Sequence, residues 1–282
     1  LAEYLLELGY EVHGIVRRHS TAENQDTRIA HLVGKVHTYY GDLLDQGSIE
    51  RLLDKIQPDE IYNMAAQSHV RISYDIPQFT VQTNAVGVLN MLEAYRRACP
   101  NAKFYQASSS EMFGLSVEED NFQRETTIMN PVSPYGCSKV FGYNIVRNYR
   151  RAYGLHATNG ILFNHESPRR GSNFVTNKVA KAAARIKLGL AKKLTLGNLD
   201  AKRDWGFAGD FVEAMYTMVQ QQDPGDYVIC TGVQHSIREL LTHAFRTADI
   251  EDWEQYVESD PRFKRPAEVH ALHGSYSKAK EK

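Results

Sequence analysis

Apolar residues fall along this chain in two alternating rhythms. Short β-type apolar runs lie at residues 11–16, 36–40, from 60 onward, at 104–107, 156–164, 194–197 and 227–231. Between them, apolar positions three and four apart predict helices at 1–8, 46–56, 79–99, 134–154, 173–190, 210–222 and 236–247. Punctuation agrees with this reading: Gly9 ends the first helix, Pro58 breaks the second, and Ser236 caps the last. Strand and helix in alternation predict an α/β fold, a doubly wound parallel sheet. From about residue 172 the alternation becomes irregular. We therefore expect a dinucleotide-binding domain at 1–171 and a smaller mixed α/β substrate lobe at 172–282, with 205–232 partly returning to the first domain. Residues 21–34 and 115–132 are polar, and the second stretch reads as a surface loop or flap.

The chain opens directly on a helix, Leu1 to Leu8. In a dinucleotide fold the first strand and a Gly-x-Gly-x-x-Gly-type turn precede that helix. No such motif occurs in the sequence, so the expectation is an N-terminally truncated domain with its first strand missing.

Composition narrows the function classes. The 282 residues, 42% of them hydrophobic, suffice for one large domain or two modest ones. A net charge of −1 gives no electrostatic case for nucleic acid. No run of eighteen apolar residues occurs, so no membrane span is expected. Cys99, Cys137 and Cys230 are isolated, which fits a reducing cytoplasm and no disulfide framework. The eleven histidines lack metal-ligand spacing, so no metal is expected.

Candidate chemistry centres on Ser133-Pro134-Tyr135-Gly136-Cys137-Ser138-Lys139. Ser133 reads as an N-cap and Pro134 as the first helical residue. Tyr135 and Lys139, four apart, share a helix face. The lysine cation and the helix dipole should both favour the phenolate of a tyrosine that otherwise titrates near ~10. Alone, a Tyr-x-x-x-Lys also fits an ordinary surface helix. Upstream, however, a buried strand ends in Ser108-Ser109-Ser110-Glu111, and ligands of open α/β sheets sit beyond strand carboxyl ends. Arg17 and Arg18, at the end of what would be the second strand, suit a ribose 2′-phosphate rather than a free hydroxyl. Asp42 is either an adenine-site residue or a turn residue. Ala65 and Ala66 allow close backbone approach by a ligand, or simply close packing. Lys178, Arg203 and Arg265 could clamp a diphosphate, or be surface charge.

The combination Tyr-Gln-Ala-Ser-Ser-Ser-Glu-Met-Phe-Gly at 105–114 with Ser-Pro-Tyr-Gly-x-Ser-Lys at 133–139 resembles the extended short-chain dehydrogenase/reductases, the NAD-dependent epimerase/dehydratase group. Within that group it is similar to the GDP-mannose 4,6-dehydratase family, over nearly the whole chain. The resemblance carries further matches: Val-Arg-Arg-x-Ser at 16–20, Gly-Asp-Leu at 41–43, Asn-Met-Ala-Ala-Gln-Ser-His-Val at 63–70, Phe-Asn-His-Glu-Ser-Pro-Arg-Arg-Gly at 163–171, Lys-Arg-Asp-Trp-Gly at 202–206 and Arg-Pro-x-Glu-Val at 265–269. It implies NADP as cofactor, held by Arg17, Arg18, Ser20, Asp42, Leu43, Met64, Ala65, Ala66, Gln67, Ser68, Lys139, His165 and Arg170. It implies GDP-mannose as substrate, held by Asn164, Lys178, Arg203, Arg265 and Glu268. Catalytic roles are implied for Ser109, Glu111, Tyr135 and Lys139, in a cytoplasmic homodimer or homotetramer serving GDP-fucose biosynthesis. His165 on its own would read as a loop histidine, and Asn84 as structural. His270 and Ser275 replace the usual Asp, and Ser109 stands where Thr is common. The hydroxyl survives that last change. Two alternatives remain at this point: another nucleotide-sugar epimerase or reductase, and a non-catalytic NADP-sensing module.

Overall fold

The computed structural model describes residues 1–17, 28–260, 263 and 266–282. In chain order the elements are α1 (Ala2–Glu7), β1 (His13–Val16), β2 (His37–Tyr40), α2 (Gln46–Ile56), β3 (Glu60–Asn63), α3 (Val70–Ser73), α4 (Pro77–Val81), α5 (Gly87–Ala98), β4 (Lys103–Ser109), α6 (Pro134–Tyr153) and β5 (Ala157–Leu162). They continue with β6 (Asn164–Glu166), α7 (Val175–Lys187), β7 (Leu194–Leu196), β8 (Lys202–Phe207), α8 (Ala208–Gln220), β9 (Asp226–Ile229), β10 (Gln234–Ser236), α9 (Ile237–Thr247), β11 (Val257–Ser259) and α10 (Ser277–Glu281).

A four-stranded parallel sheet, in the order β3-β4-β5-β9, forms the centre, and β1 and β2 make a separate parallel pair. This is the Rossmann-like α/β architecture that the alternation predicts. Strands β4 and β5 are buried along nearly their whole length, because helices cover both faces. On one face, Leu53, Leu92, Tyr95, Phe104 and Val146 join α2, α5 and α6 to the sheet. On the other, Tyr105, Ala107 and Leu162 meet Phe211, Met215 and Val219 of α8. A further core, from Val179, Leu194, Leu241, Phe245 and Trp253, lies among α7, β7 and α9.

Strands β8, β10 and β11 and helices α3 and α10 add to the elements the pattern predicts, and two expected elements are divided. The stretch expected to be one strand at 156–164 is two. β5 ends at Leu162, Phe163 is buried at the turn, and β6 pairs with β8 instead. The helix expected at 79–99 is α4, a π turn at Gln82–Val86, and α5. Pro77 starts α4 without cost, since a first-turn residue needs no donor.

Candidate active site

Strand β4 delivers its hydroxyls to the sheet's carboxyl end, where a single 3-10 turn, Ser110–Met112, follows. Ser109 caps that turn: its Oγ accepts from the Glu111 N–H at 3.2 Å. Helix α6 starts beside it. Ser133 Oγ accepts from the Gly136 N–H at 3.0 Å, and Pro134 is the first helical residue, as the sequence predicts. Gly136 is obligatory for the approach, because a Cβ there would lie 2.8 Å from the Glu111 carbonyl oxygen. The close approach brings Glu111 and Tyr135 together, and both side chains are buried.

Tyr135 and Lys139 share one helix face, with Lys139 Nζ 5.8 Å from the centre of the Tyr135 ring. Lys139 Nζ donates to the Ala107 carbonyl of β4 at 2.7 Å. The electrostatic balance is the reverse of the one expected. Burial pushes the Tyr135 phenol up to about 12, and the charge of Glu111 adds to this. A hydrogen bond with Ser109 and the charge of Arg170 act downward but are outweighed. Burial likewise lowers Lys139 to about 8. Sequence spacing shows that a cation faces the ring; it cannot show that both groups lose their water.

Behind these side chains a second tier holds them. Asn84, in the π turn, accepts from the Gln67 N–H at 2.8 Å and donates to the Gln67 carbonyl at 2.9 Å. Its amide also reaches Ser138 Oγ at 3.2 Å, and Ser138 donates to the Tyr135 carbonyl at 2.7 Å. Asn84 thus ties the loop after β3 to the first turn of α6. The extra residue of the π turn makes room for this inward amide. Ser73 Oγ, at the end of α3, accepts from the Tyr135 N–H at 3.3 Å. No sequence signal singles out Ser73.

Around this centre, Ala65 is exposed and Ala66 half-buried just past β3, with Met64 and Ser68 exposed and Gln67 half-buried. His165 stacks on Phe211 at 4.8 Å, and one ring nitrogen lies 2.8 Å from the Phe163 carbonyl. Burial lowers its pKa, against that backbone bond. Arg170 sits 3.7 Å over the Phe174 ring and pairs with Glu166 at 3.1 Å. Asn164 opens β6 beside His165. Glu166 is a partner that residue-by-residue reading missed, although it lies inside the matched 163–171 segment.

The outlying candidates divide. Arg17 is exposed just past β1. Arg18, Ser20 and Arg265 lie outside the described residues. Asp42 Oδ1 accepts from the Leu44 N–H at 2.9 Å, a local turn, while the Leu43 side chain is core, packed where a Cβ on Gly87 would meet it at 2.7 Å. Lys178 Nζ donates to the Thr195 carbonyl at 2.7 Å and lies 4.4 Å from the centre of the Phe263 ring. Arg203 and Glu268 come together, 3.3 Å apart, with Arg203 buried. Among the described residues no cluster of ligating side chains could hold a metal ion.

Comparisons with known proteins point one way. The sequence profile of a family described as GDP-mannose 4,6 dehydratase matches residues 1–282. The chain is 51% identical to GDP-mannose 4,6 dehydratase 1 of Arabidopsis thaliana, across 100% of this chain and 80% of that protein. It is 46% identical to the Homo sapiens GDP-mannose 4,6 dehydratase, across 100% of this chain and 82% of that protein. Among solved structures, a Thermus thermophilus UDP-glucose 4-epimerase complex with NAD is similar. Its TM-score is 0.84 at 27% identity, over 99% of this chain and 87% of that one.

Proposed function

The chain belongs to the GDP-mannose 4,6-dehydratase family, and we propose that it converts GDP-mannose to GDP-4-keto-6-deoxymannose with NADP as its cofactor. It is a hydro-lyase of nucleotide-sugar metabolism with a nicotinamide cofactor. The residues present fit such a group. Strand β3 ends at Asn63 opposite Gln106 of β4, and Ala65 and Ala66 just past it carry nothing beyond a methyl. Asn84 occupies the Gln67 N–H and carbonyl, which fixes the loop's path beneath a ligand. Met64 to Ser68 would line the diphosphate and inner ribose, Lys139, His165 and Arg170 the nicotinamide end, Asp42 and Leu43 the adenine end. Arg17, exposed past β1, supports a 2′-phosphate and hence NADP. When bound, NADP supplies a hydride acceptor for C4, a hydride donor for C6, and a positive ring charge.

The chain's own residues supply the proton steps. Ser109 holds the C4 oxygen, and Tyr135 takes its proton. Pushed up to about 12, the buried phenol is a poor base by itself. The Lys139 cation and added positive charge in the same dry pocket are what bring it within range. The C4 ketone makes the C5 hydrogen acidic. Glu111 takes that proton and passes it to the C6 hydroxyl, which leaves as water. The proton that Tyr135 took from O4 then goes to C5, replacing the one carried off in water, so the protons balance. Asn164, Lys178, Arg203, Arg265 and Glu268 are assigned to the nucleotide sugar.

One observation carries the choice of dehydratase over epimerase: a carboxylate, Glu111, buried beside Tyr135 and two residues past Ser109. The scaffold does not discriminate, since a 4-epimerase shares it. Only elimination needs a second base. We also place the protein in a reducing cytoplasm, acting on a small molecule rather than on nucleic acid or membrane, as a homodimer or homotetramer. Free Cys99, Cys137 and Cys230 support the first of these, and no described helix is long and apolar enough to cross a membrane.

The test is proton NMR of GDP-mannose incubated with protein and NADP in deuterium oxide. A 6-deoxy-4-keto product with deuterium at C5 is expected. Glu111→Gln should lower its formation by about 10²–10⁴-fold while nicotinamide absorbance still shows oxidation at C4. Near-normal product from that variant would remove Glu111 from the mechanism.

A further inference from the structure

We propose that Gln123 is a positioning residue for the nucleotide sugar, acting through the segment 266–275 rather than by touching substrate. The proposal rests on the assignment of Arg203 and Glu268 to that substrate. Residues 115–132 leave directly after the turn bearing Glu111 and return directly before α6 and Tyr135. The flap therefore has a neck, at the reacting groups, and a far end.

The neck closes on itself. Gly114 bridges Asn130, with Leu115 N–H donating to the Asn130 carbonyl and Asn130 N–H to the Phe113 carbonyl, both at 3.3 Å. A Cβ on Gly114 would fall 1.8 Å from the Asn130 oxygen, and φ there is +56°. None of these contacts involves the far end.

The far end is built around Gln123, which is 0% exposed. Its Nε2 donates to the Ser116 carbonyl at 2.8 Å, and its Oε1 accepts from the His273 N–H at 3.1 Å. Its backbone N–H donates to the His273 carbonyl at 2.8 Å, and its carbonyl accepts from the Ser275 N–H at 3.0 Å. The neighbouring Phe122 stacks on the His273 ring at 4.0 Å. A polar amide buried this completely, its nitrogen holding its own loop and its oxygen reaching 150 residues along the sequence, joins two separate segments.

The segment it grips carries Glu268, the partner of Arg203 at 3.3 Å. It is also tied by a Lys202 N–H bond to the His270 carbonyl at 2.9 Å, by Tyr74 Oη donating to the Ala267 carbonyl at 3.3 Å, by the His273 ring 3.0 Å from the Gly232 carbonyl, and by Val269 and Leu272, buried with Met112 and Phe113. One end of the segment thus faces the nucleotide-sugar residues, its middle supports the turn of Glu111, and Gln123 holds its other end. Val269 and Leu272 carry any loosening of Gln123 toward both Glu268 and the turn of Glu111. The neck's own bridge to Asn130 restrains the second, so the shift should be larger at Glu268 and Arg203 than at Glu111 and Tyr135.

Gln123→Met keeps the volume and deletes both amide bonds. Its expected signature is a KM for GDP-mannose raised roughly tenfold, with kcat within about threefold, and calorimetric NADP affinity unchanged. Affinity for GDP, used as a turnover-free probe, should fall in parallel. Gln123→Glu sets a buried carboxylate against the Ser116 carbonyl, so it should lower GDP affinity at least as much as Gln123→Met. If Gln123→Met does not fold, Phe122→Ala loosens the same junction from the neighbouring residue, removing the stack on His273 while leaving the His273 ring bond to the Gly232 carbonyl. Unchanged GDP affinity, or equal losses for GDP and NADP, would overturn the proposal. A wild-type protein that binds GDP in this Gln123-dependent way but does not turn over GDP-mannose would sink the dehydratase reading alone.

Discussion

At Lys139, burial and function pull in opposite directions. The ammonium has lost its water and holds one backbone carbonyl, Ala107, at 2.7 Å. Burial brings it from 10.5 to about 8. An unfolded lysine keeps its proton to 10.5, so between about 8 and 10.5 the unfolded chain binds more protons than the folded one. The destabilisation caused by burying this cation is therefore largest below pH 8 and is relieved as pH rises through that window. Lys139→Met has no such term. The stability advantage of the variant over the wild type, from chemical denaturation of cofactor-free protein, should shrink steadily from pH 8 to pH 10.5. A pH-independent difference would mean that Lys139 is solvated after all. The same variant should lose C4 oxidation by about 10²-fold or more, measured by absorbance of reduced nicotinamide. At this scale the sequence is informative about spacing and identity: Ser109, Glu111, Tyr135 and Lys139 do converge. It is silent on burial, and burial decides the direction of both pKa shifts.

Between residue and fold, the π turn Gln82–Val86 is where local geometry serves the site. It directs Asn84, 1% exposed, toward the Gln67 backbone on one side and Ser138 on the other. Asn84→Ala would leave the half-buried Gln67 N–H and carbonyl without the amide that holds them, at a cost of roughly 1–3 kcal/mol. Because Gln67 belongs to the loop assigned to NADP, NADP affinity should drop by about tenfold or more, while GDP affinity holds. Titration calorimetry separates the two, and equal losses would reduce Asn84 to a general stabiliser. A hydrophobic period of 3.6 averages over one widened turn, so the sequence pattern reads α4 to α5 as a single helix. The split of β5 from β6 escapes it for a related reason. Apolar character runs unbroken through Phe163, and only pairing with β8 reveals the change of sheet. By contrast, α2 and α9 begin and end where the pattern puts them, because Asp45 and Ser236 cap them through side-chain bonds to Ser48 and Glu239. A buried ion pair is legible least of all. Asp226 gathers Arg150 at 2.6 Å, Arg147 at 3.3 Å and Asn159 at 2.8 Å, from α6 and β5, both distant from it in sequence. Burial alone would raise its carboxyl; those partners hold it below the usual range.

Among the described residues, neighbouring helices leave large apolar side chains uncovered on the side away from the chemistry. In α6, Tyr135 and Lys139 point inward, while Cys137 and Phe141, four residues apart, point out; Phe141 is 44% exposed. The adjoining α4 and π turn expose Phe79, Val81 and Val86. Large apolar side chains concentrated on neighbouring helices are the usual mark of an interface. We propose that a second copy of the chain covers them, which gives a physical form to the homodimer or homotetramer implied by family resemblance. Such a contact would brace the back of the helix whose front holds Tyr135, so assembly and activity should be linked. Phe141→Glu places a charge on the face without touching the core. Light scattering after gel filtration should give the wild type a mass of at least about twice its 32.0 kDa chain, and the variant a mass near one chain. Circular dichroism should be unchanged, and kcat should fall several-fold with KM for GDP-mannose nearly constant. A wild type that runs as a single chain would remove the interface, and a dimer that survives Phe141→Glu would move it elsewhere on the surface.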